Sequence, residues 1–306
     1  MFKNLKLFIA IAVFTGIQNI NACDICGCSM SSSAAILPQI NKSIVGIRYS
    51  HSNFKSSHPT NLGNEFAGVS TNDNFQTIEA IGRYNATERF HITAIVPFNY
   101  ITQKSTQGNV QNFGLGDIML MGQFLAVNPK LCTGKRAQHQ FRAGLGLKFP
   151  TGSFNKKMNE SLLHSNLQNG TGSLDILLSG IYTLRIDNWG LNTELSYRIN
   201  TTNQNKFRFG NRAAAKLTAF YWWKLNENIS ILPTLGIGGE QMMGNRDGKR
   251  NVPYTGGWGV NAVAGFDVVM KKFVLSFSTQ PPLIQYWSDG NVKRKISLET
   301  GLFYNF

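Results

Sequence analysis

Between Lys295 and Phe306 the side chains alternate without a break. Ile296, Leu298, Thr300, Leu302, Tyr304 and Phe306 share one parity, and Lys295, Ser297, Glu299, Gly301, Phe303 and Asn305 share the other. Successive strand residues point to opposite faces, so this stretch predicts a strand with one apolar wall and one polar wall. The same pattern returns at Phe141, Ala143, Leu145, Leu147 and Phe149, which oppose Gln140, Arg142 and Lys148. It returns again at Leu191, Thr193, Leu195, Tyr197 and Ile199, which oppose Asn192, Glu194, Ser196, Arg198 and Asn200. In all, twelve strands are predicted, roughly over 42–54, 74–85, 89–103, 113–127, 137–150, 172–186, 189–201, 208–224, 229–244, 255–270, 273–282 and 294–306. A soluble sandwich would turn its polar faces to water, whereas an outer-membrane barrel turns its apolar faces to lipid and its polar faces to a lumen.

The connections separate these two readings. Links after odd strands are long: 55–73, 104–112, 151–171, 202–207, 245–254 and 281–293. Those after even strands are mostly short, as in Ala86-Thr87-Glu88 and Asp187-Asn188. The exception is 128–136, which holds Pro129 and Cys132. Short turns on one rim and long loops on the other are the habit of bacterial barrels, and an even strand count puts both ends of the barrel on one side. The expected fold is therefore all-β, a transmembrane antiparallel up-and-down barrel of about 12 strands. Trp189, Trp222 and Trp223 fall near the short-turn rim, where an aromatic girdle belongs.

The first residues set the compartment. Lys3 and Lys6 precede an apolar run from Leu7 to Ile17, then Asn19-Ile20-Asn21-Ala22. A basic start, an apolar stretch too short to span a bilayer and a small residue at its end make a signal peptide over 1–22. Residues 23–41 then form a Cys-rich periplasmic segment, and 42–306 the barrel. Export predicts the outer membrane of a Gram-negative bacterium. The expected partners are outer-membrane lipid, a small-molecule solute, and the barrel-assembly machinery engaging the C-terminal strand.

Charge refines this without redirecting it. The 306 residues carry 30 Lys+Arg and 16 Asp+Glu, a net +14. The basic residues are scattered, with no cluster interleaved with stacking aromatics, so no nucleic-acid partner is expected. The five histidines lie far apart, and neither a Gly-x-Ser-x-Gly elbow nor a phosphate loop occurs. The nearest catalytic trio, Ser161, His164 and Asp175, has no supporting motif. The protein is not expected to be an enzyme.

Parity assigns a lumen set. It comprises Arg48, Glu79, Arg83, Asp117, Arg142, Lys148, Asp175, Arg185, Glu194, Arg198, Arg212, Lys216, Glu240, Asp267, Lys295 and Glu299, with Met119, Met121 and Phe303 adding apolar surface. Nine basic against seven acidic positions is a mixed wall, which argues against a strongly anion-selective pore. Twelve strands enclose more space than the eight that side chains can fill, and less than an open sixteen-stranded porin. A channel or transporter for a small, possibly amphipathic solute fits best. A structural or adhesion barrel with partner-binding loops is the alternative. Asp117 and Asp175 brace the wall through Arg142, Lys148 or Arg185, or else line the solute path.

Three glycine-bearing segments add a resemblance. They are Phe113-Gly114-Leu115-Gly116-Asp117-Ile118, Leu147-Lys148-Phe149-Pro150-Thr151-Gly152-Ser153 and Gly170-Thr171-Gly172-Ser173-Leu174-Asp175. In that order, within residues 44–306, the chain resembles the outer-membrane channels named for the meta-pathway of phenol degradation. The resemblance implies a barrel and transport of hydrophobic or aromatic compounds. The glycines themselves also suit tight turns and close strand approach.

The remaining motif is Cys23-Asp24-Ile25-Cys26-Gly27-Cys28. Thiolates at this spacing can bind Cu(I) or Zn(II), so Cys23, Cys26 and Cys28 are candidate metal ligands and a metal-linked outer-membrane protein is a further reading. In an oxidising compartment a disulfide, Cys23–Cys26 or Cys26–Cys28, is a second alternative, and a lipid anchor on Cys23 a third. Cys132 is a candidate fourth ligand or thiol partner. Cys-Asp-x-Cys-Gly-Cys starts of this kind resemble those preceding such barrels in Bacteroidota-like sequences.

Overall fold

In the computed structural model the described residues are 42–57, 70–105, 108–127, 137–158 and 160–306. Twelve wall strands follow one another in chain order. They are β1 (Ile44–Ser57), β2 (Ser70–Asn85), β3 (Phe90–Ser105), β4 (Gly108–Leu115, resuming at Met119–Val127), β5 (Ala137–Lys148), β6 (Asp175–Ile186), β7 (Trp189–Ile199) and β8 (Arg212–Tyr221). The round is completed by β9 (Ile229–Met242), β10 (Gly257–Met270), β11 (Phe273–Gln280, resuming at Pro282–Trp287) and β12 (Val292–Arg294, resuming at Ser297–Asn305). Each pairs antiparallel with its successor, and β1 closes on β12 from Ile44↔Asn305 to His51↔Leu298. Closure leaves no unpaired edge among the described wall strands, the condition for strands to cross hydrocarbon. No helix among the described residues is long and apolar enough to cross a membrane.

The outer surface is what lipid requires. Ile47, Ile78, Leu145, Leu195, Leu235, Ile237 and Leu302 form an exposed apolar band. Exposed aromatics flank it: Tyr84, Phe90, Trp189, Trp223 and Phe306 toward the short turns, and Tyr100, Phe113, Trp258 and Tyr286 toward the long loops. Trp222 departs from the girdle. It is half-buried, packs against Phe220 and its neighbours inside, and carries the Arg185 guanidinium 4.7 Å above its ring.

Two expected long loops are instead strand. Over 104–112 the ladder runs to Ser105↔Gly108, and over 281–293 it continues through Pro282–Trp287 past a register shift at Val260/Asn261. Polar side chains on both faces make 104–112 read as loop, and Pro281-Pro282 with Ser288-Asp289-Gly290 make 281–293 read so, but the backbone ladder continues through both. The irregularity at Lys295 and Ile296, outside any strand, also resets parity. Lys295 is exposed, and Arg294 takes the inward position.

Inside, two apolar clusters sit at opposite ends. Toward the short turns Ile44, Ile81, Phe220, Leu232, Val274 and Phe303 pack together. Toward the loops Phe54, Phe75, Ile101, Val110, Trp287 and Val292 meet Leu163 and Leu167. The last two belong to the β5–β6 connection, which rises as a small hairpin (Lys157–Met158 with Ser161–Leu162) and turns back inward through a 3-10 turn at Ser165–Leu167. His164 caps that turn, accepting from the Asn166 amide at 3.3 Å.

Candidate functional site: the barrel lumen

The inward connection is held by the three glycine-bearing segments, which converge on one ion-pair knot. The Lys148 Nζ lies 2.7 Å from Asp117 Oδ2 and 2.7 Å from Asp175 Oδ2, and all three side chains are buried. The gap in β4 at Gly116–Ile118 drops Asp117 below the ladder. There it accepts from the Gly152 amide (3.0 Å), the Thr171 amide (2.9 Å) and the Thr171 hydroxyl (2.8 Å). Asp175 accepts from Ser173 Oγ and the Thr201 amide, each at 2.9 Å. Gly152 and Gly170 touch back to back: a Cβ on Gly152 would lie 2.7 Å from the Gly170 Cα. Of the partners considered for the two aspartates, Lys148 is the one that reaches both. Asp175 is thereby engaged in the wall, apart from any catalytic arrangement with Ser161 and His164. Further along, Asn112 donates to the Leu167 carbonyl at 2.7 Å and accepts from Lys156 Nζ at 2.8 Å. No sequence motif flagged Asn112, because its role depends on a connection more than forty residues away.

Below the knot lies a belt of ion pairs, most of them on adjacent strands. Arg48 Nε donates to Glu79 Oε2 at 2.6 Å, Lys216 Nζ meets Glu194 Oε2 at 3.2 Å, and Arg294 meets Glu240 Oε1 at 2.8 Å while Arg212 takes its other oxygen. Gln280 donates to Glu299 at 3.3 Å, and Asn192 to Glu194 at 2.8 Å. The registers Arg48↔Glu79 and Glu194↔Lys216 set two of these pairs directly opposite, Arg212 reaches Glu240 diagonally across the β8–β9 ladder, and Arg294 reaches it from β12, three strands further round the wall. Arg198 lies half-buried at the register step Arg198↔Arg212. Arg185 sits near the short-turn rim, donating to the Asp187 carbonyl, and Asp267 is buried toward that same rim.

A cavity of about 160 Å3 opens at the centre of this belt. Its lining includes the apolar Ile81, Ile95, Met121 and Ile181 beside charged groups, and those charges are uneven: seven cations, Arg83 and Arg142 among them, against two carboxylates. The overall wall is mixed, but apart from Glu194 and Glu240 its acids are placed elsewhere. Asp117 and Asp175 are held in the knot, and neither Glu79 nor Glu299 reaches the cavity surface. Cys23, Cys26, Cys28, Cys132 and the expected leader lie outside the described residues.

The family described as "Putative MetA-pathway of phenol degradation" matches residues 54–272, well over half the sequence. The chain belongs to that family. All three glycine-bearing segments of this phenol-degradation family member, which tie the inward connection to the wall, fall within the matched span. A solved outer-membrane channel from Pseudomonas putida F1 superposes with a TM-score of 0.61 at 15% identity, over 87% of this chain and 96% of that one. The β domain of the Bordetella autotransporter BrkA gives 0.50 at 10% identity, over 87% and 100%. At these identities the likeness is one of fold, that of an outer-membrane β-barrel. No curated protein matches by sequence.

Proposed function

We propose that the protein is an outer-membrane channel for a small aromatic or otherwise amphipathic solute, with the long loops facing outward. The observation that carries this reading is the lumen's layering. Apolar clusters lie at both ends, and between them is a cavity with apolar and cationic walls. An open aqueous pore would have no use for Leu163 and Leu167 packed against Phe54, Phe75 and Ile101 at its entrance. A solute with an apolar body, by contrast, can pass such surfaces without losing much solvation. Selection would then rest on the narrow bore and on the ion-pair belt. Membership of the phenol-degradation family supports the same class of solute.

The test is paired. Cells producing the barrel should accumulate toluene several-fold faster than cells lacking it, while vesicles containing the purified protein should swell no faster than empty ones in arabinose. Rapid arabinose swelling with unchanged toluene uptake would replace this reading with a general porin.

A further inference from the structure

Four lysines stand on the outside of the barrel where its closing strands rise toward the long loops. Lys55 lies directly opposite Lys293 across the β1–β12 seam and opposite Asn72 on β2, and Asn72 in turn faces Lys104 on β3. Lys293, Lys55, Asn72 and Lys104 therefore form one row across four strands. Parity turns that row outward. Its chain neighbours Phe54, Thr71, Asp73, Val292 and Arg294 are buried inside, whereas Lys55, Lys104 and Lys293 are exposed. Lys295, also exposed, sits lower beside Asn53, its amide donating to the Asn53 carbonyl at 2.8 Å. Among the described residues no carboxylate shares this face, and Asp289 belongs to the turn above it.

Beneath the row the surface changes in the order a lipid would require. First comes a polar belt, in which Asn53 donates to Asn72 at 2.9 Å and to Asn74 at 2.6 Å. Then come the girdle aromatics Tyr100 and Phe113, and below them Ile47, Ile78 and Phe98 on the same strands, all exposed. At about 3.4 Å per residue and a tilt of about 40°, the row lies roughly 10 Å above Tyr100 and the Asn53 level roughly 5 Å above it, the depth of the lipid headgroups. Like charges set directly opposite one another destabilise a sheet, and Lys55 faces Lys293 on the seam that joins the two ends of the barrel. An anion between them removes that repulsion. Lys104, two strand spacings or about 10 Å from Lys55, is placed for a second anionic group. A free phosphate would draw nothing from the aromatic and apolar wall below, whereas the acyl chains of a lipid would cover it.

We propose that this outer face of β12, β1, β2 and β3 binds a lipid of the outer leaflet whose headgroup carries two phosphates. Lys55 and Lys293 close on one phosphate with Lys295 beneath them, and Lys104 takes the other. The proposal borrows from the channel reading only the outward facing of the long loops, and is indifferent to the solute. The experiment is native mass spectrometry of the full-length barrel in detergent, titrated with diphosphoryl and with monophosphoryl lipid A. One diphosphoryl lipid A should be retained, roughly tenfold more tightly than the monophosphoryl form. Lys55→Gln combined with Lys293→Gln should weaken retention by about tenfold or more. Lys104→Gln should bring the two lipids close together, and Lys55→Arg with Lys293→Arg should bind as the wild type does. Lys157→Gln, Lys206→Gln and Lys249→Gln together, on exposed lysines elsewhere at the loop end, should leave retention unchanged.

The two lipids being retained alike by the wild type, full retention in the Lys55 and Lys293 double Gln variant, or an equal loss in the triple variant would overturn the proposal. Displacement of the lipid by inorganic pyrophosphate at equal concentration would also overturn it, because phosphate alone would then be what is recognised. Folding of each variant is read from its heat-modifiable electrophoretic mobility, and should the double Gln variant not fold, the wild-type comparison and Lys104→Gln still decide. Lipid retention without toluene uptake would leave this face standing and remove the channel, and uptake without lipid retention would do the reverse.

Discussion

Lys148 is the most consequential single side chain in the described structure. It stands between two buried carboxylates, so its removal leaves two negative charges facing each other out of reach of water. Breaking a buried pair by deleting one partner costs about 3–5 kcal/mol, whereas replacing the whole set with neutral groups of similar shape is often tolerated. Lys148→Met should therefore lower the urea unfolding midpoint of the barrel markedly. The triple variant Lys148→Met, Asp117→Asn, Asp175→Asn should regain most of the loss. Alternation along β5 was enough to point Lys148 and Arg142 inward, because the period of two holds through the whole strand. It could not say which acid each would meet, since Asp117 reaches Lys148 only through the gap in β4. At Lys295 the same reasoning breaks down, because one irregular step before Ser297 exchanges the two faces.

At the scale of the element, the β5–β6 connection behaves as part of the wall. Its apolar side chains cover the upper cluster, and Asn112, Asn99 and Asp117 hold its backbone from below. Gly170→Ala puts a methyl group against Gly152 and Asp117, where there is no room for it. That change should loosen the knot and raise single-channel conductance in planar bilayers several-fold, with the barrel still folded. An unchanged conductance would mean that the connection does not limit passage. Alternation and loop length predicted a long link here, and the glycines suggested close approach. The inward turn was not legible, because its cause is the match between Leu163 and Leu167 and a cluster assembled from six strands, β1 to β4 with β11 and β12. The extended hairpin at 104–112 was hidden for the opposite reason: where strands rise above the membrane both faces are polar, and the pattern resembles a loop.

For the molecule as a whole, the lipid-facing band decides stability. Ile47, on an outward position of β1 between Ala80 and Leu302, is well exposed. Ile47→Arg should cost about 2–4 kcal/mol if that position lies near the bilayer midplane, and less toward either interface. Unfolding from lipid vesicles measures it. Strand number, alternation and closure were legible from the sequence because they repeat twelve times, so each weak signal adds to the next. The uneven charge of the central cavity was not, because it depends on which acids the ladder spends on other partners. The closing pair of strands has one more consequence. Eleven of the twelve hairpin contacts join neighbours in the chain, but Ile44 meets Asn305 only after everything between them is in place. Until that last seam zips, β1 and β12 both present bare backbone, a template for any other strand. Assembly is thus gated by its slowest and most distant contact, and a chaperone that guards those two strands until membrane entry would protect the whole molecule from aggregation.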